Sequence, residues 1–143
     1  MDPAVVLEHS VAVIGIGVDV VDLVRAQRML LRHGSRALER FLLPSEREYV
    51  TTRTDPARHF AVRVAAKEAV YKAFQSLPDA EGISWQDIEV ERNDRGRPHI
   101  RLHGRAAELA AGLGQWRLHL SLTHTDQTAA ASAVLEALAS IPE

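Results

Sequence analysis

Apolar positions change their period several times along the chain, and each change predicts an element. Val11–Val20 is a β-branched run interrupted by Gly15 and Gly17, which reads as a buried strand leaving through a tight turn. Past Asp22 the spacing becomes helical. Val24, Met29, Leu30 and Leu31 lie among Arg25, Arg28 and Arg32, with Asp22 placed as an N-cap and Gly34 as a stop. Ser35 opens a second short helical stretch ending near Pro44, and Ser45 to Glu48 has the form of a capping box for a third. The strongest helical signal runs from about Pro56 to Gln75: it is alanine-rich, free of internal Gly and Pro, and introduced by Asp55-Pro56. A turn-rich stretch follows. Asp87–Arg92 and Pro98–His103 then alternate apolar and polar positions around Asn93-Asp94-Arg95-Gly96, predicting a hairpin. Ala106–Leu113 reads as a short helix closed by Gly112 or Gly114. Trp116–Thr123 alternates strictly, with Trp116, Leu118, Leu120 and Leu122 on one face and Arg117, His119, Ser121 and Thr123 on the other. Thr128–Glu136 is a final strand of small side chains that pairs with it across the turn at 124–127.

Strand, helices, hairpin, short helix and two strands give an α+β fold, an antiparallel sheet packed on one long helix. The order is not βαβα, so a doubly wound sheet is not expected. Residues 1–10 read as an N-terminal extension and residues 11–143 as one domain.

Composition narrows the function. Of 143 residues, 46% are hydrophobic, enough for a core, and the formal net charge of −2 argues against a general nucleic-acid binder. The charge is uneven: Arg and Lys concentrate between residues 24 and 72. A locally basic surface on a near-neutral chain suits an anionic ligand or an acidic partner. The absence of cysteine removes disulfides, thiolate metal sites and a cysteine nucleophile. No apolar run is long enough to span a bilayer, and the first ten residues lack the basic start and apolar stretch of a secretory signal. A cytoplasmic protein without a membrane partner is expected.

Several groups of residues carry candidate chemistry. Glu68 and Lys72 are four apart on the long helix and share a face, while Arg63 and Lys67 form a second polar stripe. A solvated ion pair is the ordinary reading of such spacing, but the surrounding alanines permit close approach of a ligand or backbone. Asp19 ends the buried strand, where a carboxylate needs a cation or several donors. It is either a turn carboxylate or a ligand for a hard cation. Gly15 and Gly17 alone are weak evidence for phosphate binding, because position 20 is Val where a dinucleotide fingerprint has its third glycine. His119, Ser121, Thr123 and His124 lack both a nucleophile elbow and zinc-ligand spacing. Arg25, Arg28, Arg32, Arg36 and Arg40, interleaved with Met29, Leu30, Leu31 and Phe41, are either a solvated face or a docking surface for an acidic helical partner.

Together these segments resemble one family, the holo-acyl-carrier-protein synthases of the 4′-phosphopantetheinyl transferase type. Gly15–Arg25 is similar to a first motif, a G-x-G-x-D strand end with an arginine six residues on. Arg63–Phe74 is similar to the R-x-A-A-K-E-A-x-x-K helix, Ser121–Thr125 to a third motif, and Asp94–Pro98 to a hairpin carrying G-[KR]-P. Phe41–Glu48 is similar to the connecting segment, and the likeness runs from about Val13 to Glu136. It implies transfer of 4′-phosphopantetheine from coenzyme A to a serine of an apo acyl carrier protein of fatty-acid or polyketide synthesis, releasing 3′,5′-ADP. It implies Asp19 and Glu68 as magnesium ligands, with Lys72 beside them as the third catalytic residue. Arg63, Lys72, His124, Gly96 and Pro98 would serve coenzyme A. Arg25, Met29, Arg36, Arg40 and Phe41 would dock the carrier. It further implies a homotrimer with interfacial active sites, consistent with a helix too apolar for one small domain to cover. Val64 departs from the family, which carries an aromatic residue there. Two other readings stay open at this point: a non-catalytic carrier-binding subunit, and a magnesium-dependent coenzyme A phosphohydrolase.

Overall fold

A computed structural model describes residues 9–140. β1 (His9–Asp22), β5 (Thr128–Ser140) and β4 (Trp116–His124) form one antiparallel sheet in the order β1-β5-β4. β2 (Ile88–Arg92) and β3 (Pro98–Leu102) form a separate two-stranded sheet. Helices α1 (Leu23–His33), α2 (Ser35–Phe41) and α3 (Pro44–Thr51) lead into α4 (Pro56–Phe74), and α5 (Gly104–Ala111) joins β3 to β4. The expected α+β class and long helix are present. Most of the expected extension lies outside the described residues, but its last two residues already belong to β1: His9 and Ser10 pair with Ser140 and Ala139.

The sequence signals act locally as they should. The Asp22 carboxylate accepts from Val24 N at 3.0 Å to cap α1, and Gly34, at φ 52°, ends it. Asp55 caps α4 through Arg58 N, with Pro56 at the first helical position. The third helix differs from expectation. Its cap is made at Leu43, whose N–H donates to Glu46 Oε1 at 2.9 Å, while Ser45 Oγ turns away to Glu89. Pro44 at the first helical position puts the helix start two residues earlier than a Ser45-to-Glu48 box would place it.

α4 lies across the inner face of the three-stranded sheet, and two apolar clusters flank it. One joins Ala65, Ala66, Ala69, Val70, Ala73 and Phe74 to Ile88, Leu135 and the inward alanines of β5. The other joins Phe60, Ala61 and Val64 to Leu23, Ala26, Ala37 and Leu42. Val64 therefore sits under α1 and α2. Since α4 is covered within one chain, the uncovered apolar surface is elsewhere: on the outer face of β1, where Val11, Val13, Ile16, Val18 and Val20 are exposed. That corrects the expectation that the helix itself is left uncovered.

Candidate active site

Period-two alternation puts Gly15, Gly17 and Asp19 on the inner face of β1. A Cβ at Gly15 would overlap the Ala73 carbonyl, and one at Gly17 the Ala69 carbonyl. The two glycines are therefore a packing device that lets β1 lie against the backbone of α4, not a phosphate loop. The strand runs antiparallel to the helix across these contacts. The next inward residue, Asp19, consequently arrives over the turn that carries Glu68 and Lys72.

Asp19 is buried; its Oδ1 accepts from Lys72 Nζ at 3.2 Å. The same ammonium donates to the Val18 carbonyl at 2.9 Å. Asp19 Oδ2 is buried with no protein partner. Burial, then the hydrogen bond and charge of Asp19, push the Glu68 carboxyl up to about 7, with Lys72 and Arg25 acting in the opposite sense. Two carboxyl groups close enough that one raises the pKa of the other, with one buried oxygen lacking a donor, form a set short of positive charge. The set fits a hard divalent cation. Among the described residues no group of three or more acidic or histidine side chains could hold a metal, so the remaining ligands would come from phosphate and water, the habit of magnesium.

The expected docking residues do come together. Arg25, Met29, Arg36, Arg40 and Phe41 line a groove of about 630 Å³ between α1 and α2, with Arg28, Arg32 and His33. Phe41 packs edge-on against Phe60 at 5.9 Å, and the Arg40 guanidinium lies 5.6 Å from the Phe41 ring centre. Arg25 is near enough to Glu68 to lower its pKa, so the groove opens beside the carboxylates.

The expected coenzyme A residues divide. Arg63 is buried away from Asp19, over the Tyr49 ring at 4.2 Å, with its Nε unpartnered. Arg53 and Arg92 face the same ring at 4.0 and 5.7 Å. The cluster is basic enough that burial, with Arg63, Arg53 and Arg92, holds His59 below its ordinary value. Gly96 and Pro98 belong to this neighbourhood: Arg92 donates to the Gly96 carbonyl at 2.9 Å and pairs with Pro98 in the hairpin. His124 lies at the end of β4 on the sheet, opposite Ala129, and is not part of that cluster. His119 is bonded to Glu136 at 2.8 Å rather than to Ser121, so these two do not form a serine–histidine pair.

Tyr49, Trp85 and the buried ion pair Lys67–Glu46, at 2.7 Å, are prominent here and absent from the sequence-based candidates. Helical spacing groups Lys67 with Arg63 as a polar stripe. In the structure both are buried. The available signal was that a helix this rich in apolar residues has no open side for either cation.

The chain matches the family model for the 4′-phosphopantetheinyl transferase superfamily over residues 15–132. It is 42% identical over 124 residues to the holo-[acyl-carrier-protein] synthase of Koribacter versatilis, covering 87% of this chain and 98% of that protein. It is 46% identical over 128 residues to that of Anaeromyxobacter sp. strain K, covering 87% and 96%. The acyl carrier protein synthase of Mycobacterium tuberculosis superposes with a TM-score of 0.70 at 37% identity, covering 88% of this chain and 99% of the other. A holo-(acyl-carrier-protein) synthase from Bacillus anthracis, solved in complex with CoA (3′,5′-ADP), superposes with a TM-score of 0.69 at 32% identity, over 87% and 97%. With the family model matched over residues 15–132 and these identities held over nearly the whole length of the relatives, the chain belongs to the holo-[acyl-carrier-protein] synthase family of the 4′-phosphopantetheinyl transferases.

Proposed function

We propose that this chain transfers 4′-phosphopantetheine from coenzyme A to a carrier-protein serine at the Asp19–Glu68–Lys72 centre. The observation that carries this reading is the carboxylate pair, one oxygen of it orphaned, at the mouth of a basic groove. Asp19 and Glu68 would hold magnesium, which would offset the charge on the transferring phosphoryl group. Lys72, half-exposed and tethered only to Asp19 and the Val18 carbonyl, is free to swing to a phosphate oxygen as a point charge. The serine hydroxyl attacks the β-phosphorus, the bond to the bridging oxygen breaks, and 3′,5′-ADP leaves. The two carboxylates stand where one of them, or a water held by the metal, would take the serine proton. The groove of Arg25, Arg36 and Arg40, with Met29 and Phe41, suits the acidic surface of a fatty-acid or polyketide carrier.

The separation of His124 from the Arg63–Gly96–Pro98 neighbourhood supports a coenzyme A site completed by another copy of the chain. The exposed valines of β1 give a surface for that copy, and three copies in a ring are the closed arrangement we propose. Among the described residues no helix is long and apolar enough to cross a membrane, in keeping with a cytoplasmic setting. The test is intact-mass measurement of an apo carrier protein incubated with the chain, coenzyme A and magnesium. Addition of one phosphopantetheine, abolished by EDTA and restored by magnesium, is expected. Release of 3′,5′-ADP with no carrier present would instead mark a coenzyme A phosphohydrolase.

A further inference from the structure

Lys67 precedes Glu68 in the chain yet points away from it, into the core, where it is fully buried. A buried ammonium is tolerated only when its protons are used. Nζ donates to Glu46 Oε1 at 2.7 Å, to the Trp85 carbonyl at 3.0 Å and to the Ile88 carbonyl at 2.6 Å, which spends all three. Glu46 in turn accepts from Leu43 N at 2.9 Å and Val90 N at 3.0 Å. The pair thus stands where a neighbouring strand would, satisfying the free edge of β2, and joins α3, α4, β2 and the 3₁₀ turn Trp85–Asp87 in one knot.

That turn has a second hold. The Trp85 ring packs against Phe41 at 5.8 Å and Tyr71 at 5.5 Å. Gln86 Nε2 donates to the Glu39 carbonyl at 2.7 Å. Glu39, Arg40 and Phe41 form the last turn of α2, and Tyr71 lies three residues beyond Glu68 on α4. α2 has only seven residues and no side-chain cap at its start. A helix that short takes its orientation from what touches it. The groove wall it provides is therefore set by the turn, and the turn is set by Lys67.

We propose that the turn Trp85–Asp87, clamped by the Lys67–Glu46 pair, is a strut that fixes the groove of α1 and α2 relative to the Asp19–Glu68–Lys72 centre. Lys67, Trp85 and Gln86 are positioning residues for presentation of the carrier serine. The proposal rests on the reading of that groove as the carrier-docking surface. A misplaced α2 moves the nucleophile while leaving coenzyme A where it was, so the defect falls on one substrate.

Steady-state kinetics with carrier protein and coenzyme A varied separately test this. Gln86→Met keeps the side-chain length, removes the donor and is solvent-exposed, so folding is not at risk; it raises KM for the carrier about threefold. Trp85→Ala lowers kcat/KM for the carrier about tenfold. KM for coenzyme A and the pH profile of kcat stay at wild-type values in both. Lys67→Met, where it folds, gives a carrier defect that does not add to that of Trp85→Ala, because the two act through one element. Wild-type carrier kinetics in both Gln86→Met and Trp85→Ala would overturn the strut, as would an equal loss toward both substrates. Arg25→Ala separates the two readings: a raised carrier KM there with no effect of Gln86→Met or Trp85→Ala discards only the strut. An unchanged carrier KM in Arg25→Ala discards the docking groove and the strut with it.

Discussion

The two faces of β1 do opposite things with the same backbone. Inward, Gly15 and Gly17 remove side chains so that the strand rests on the carbonyls of Ala73 and Ala69. Outward, Ile16 and Val18 remain 68% and 60% exposed, a contiguous apolar surface of the sort that marks an interface. Polarity does not distinguish the faces, since both are largely apolar. Side-chain size does. The small face seats a helix of the same chain and delivers Asp19 to Glu68. The branched face cannot be covered by anything in the described chain, so the strand that supplies the carboxylate we propose as a metal ligand also supplies the surface on which we expect copies to meet.

The harshest way to break the small face is to fill it. Gly17→Ala drives a methyl into the Ala69 carbonyl, and backbone cannot yield as a flexible side chain can. The expected cost is about 3 kcal/mol, read as a lowered urea midpoint, whereas Val18→Thr on the outer face stays within about 0.5 kcal/mol in the isolated chain. Next in size is the removal of what the close contact delivers. Asp19→Ala and Glu68→Ala should each lower phosphopantetheine transfer on the order of 10³-fold, with the circular dichroism spectrum still that of the folded chain. Near-wild-type transfer in either variant would sink the assignment of the pair.

Much of this was legible in the sequence, for reasons that differ by residue. β4 declared its faces through strict alternation, and α4 declared itself through alanine content and a Pro56 start. Asp19, Glu68 and Lys72 were nominated by spacing and likeness, and the fold does bring them together. What spacing could not give was the purpose of Gly15 and Gly17, because the carbonyls they approach are more than fifty residues away. Nor could it give the burial of Lys67, whose partner Glu46 lies twenty-one residues earlier and looked like part of a capping box. The separate β2–β3 sheet was hidden for a related reason. Alternation predicts strands but not their neighbours, and the neighbour of β2 turned out to be an ion pair. The separation of His124 from Arg63 was likewise hidden, because strand and helix periods do not say where two distant elements end up relative to each other.

The branched face can be tested without disturbing the small one. Ile16→Glu combined with Val18→Glu places two charges where a second copy would desolvate them, while β1 keeps its ladder with β5. Light scattering should then show dissociated copies with an intact fold. Transfer should fall well below wild type, because the coenzyme A site would lose the residues another copy contributes. An unchanged mass in solution would refute the use of this face for assembly.

The smallest expected effect lies in pH, and it again separates the faces. On the outer face, His119 and Glu136 form an exposed pair at 2.8 Å, worth little to stability. On the inner face, burial and Asp19 raise the Glu68 carboxyl from 4.5 to about 7. The folded chain then binds more protons there than the unfolded chain between those two values. Stability from this group is therefore fully present below about 4.5 and is lost as pH rises through about 7. Glu68→Gln should flatten that part of the melting profile, and His119→Gln should leave it in place. The same proton opposes a cation. At pH 6, one unit below the folded value, about one carboxyl in ten is ionised, so magnesium affinity should be roughly tenfold weaker than at pH 8. Calorimetric titration with magnesium at the two pH values checks this, with Glu68→Gln as the control in which the difference disappears. A difference that persists in Glu68→Gln would move the responsible proton to another group and leave the carboxylate pair without its role as the pH-sensitive side of β1.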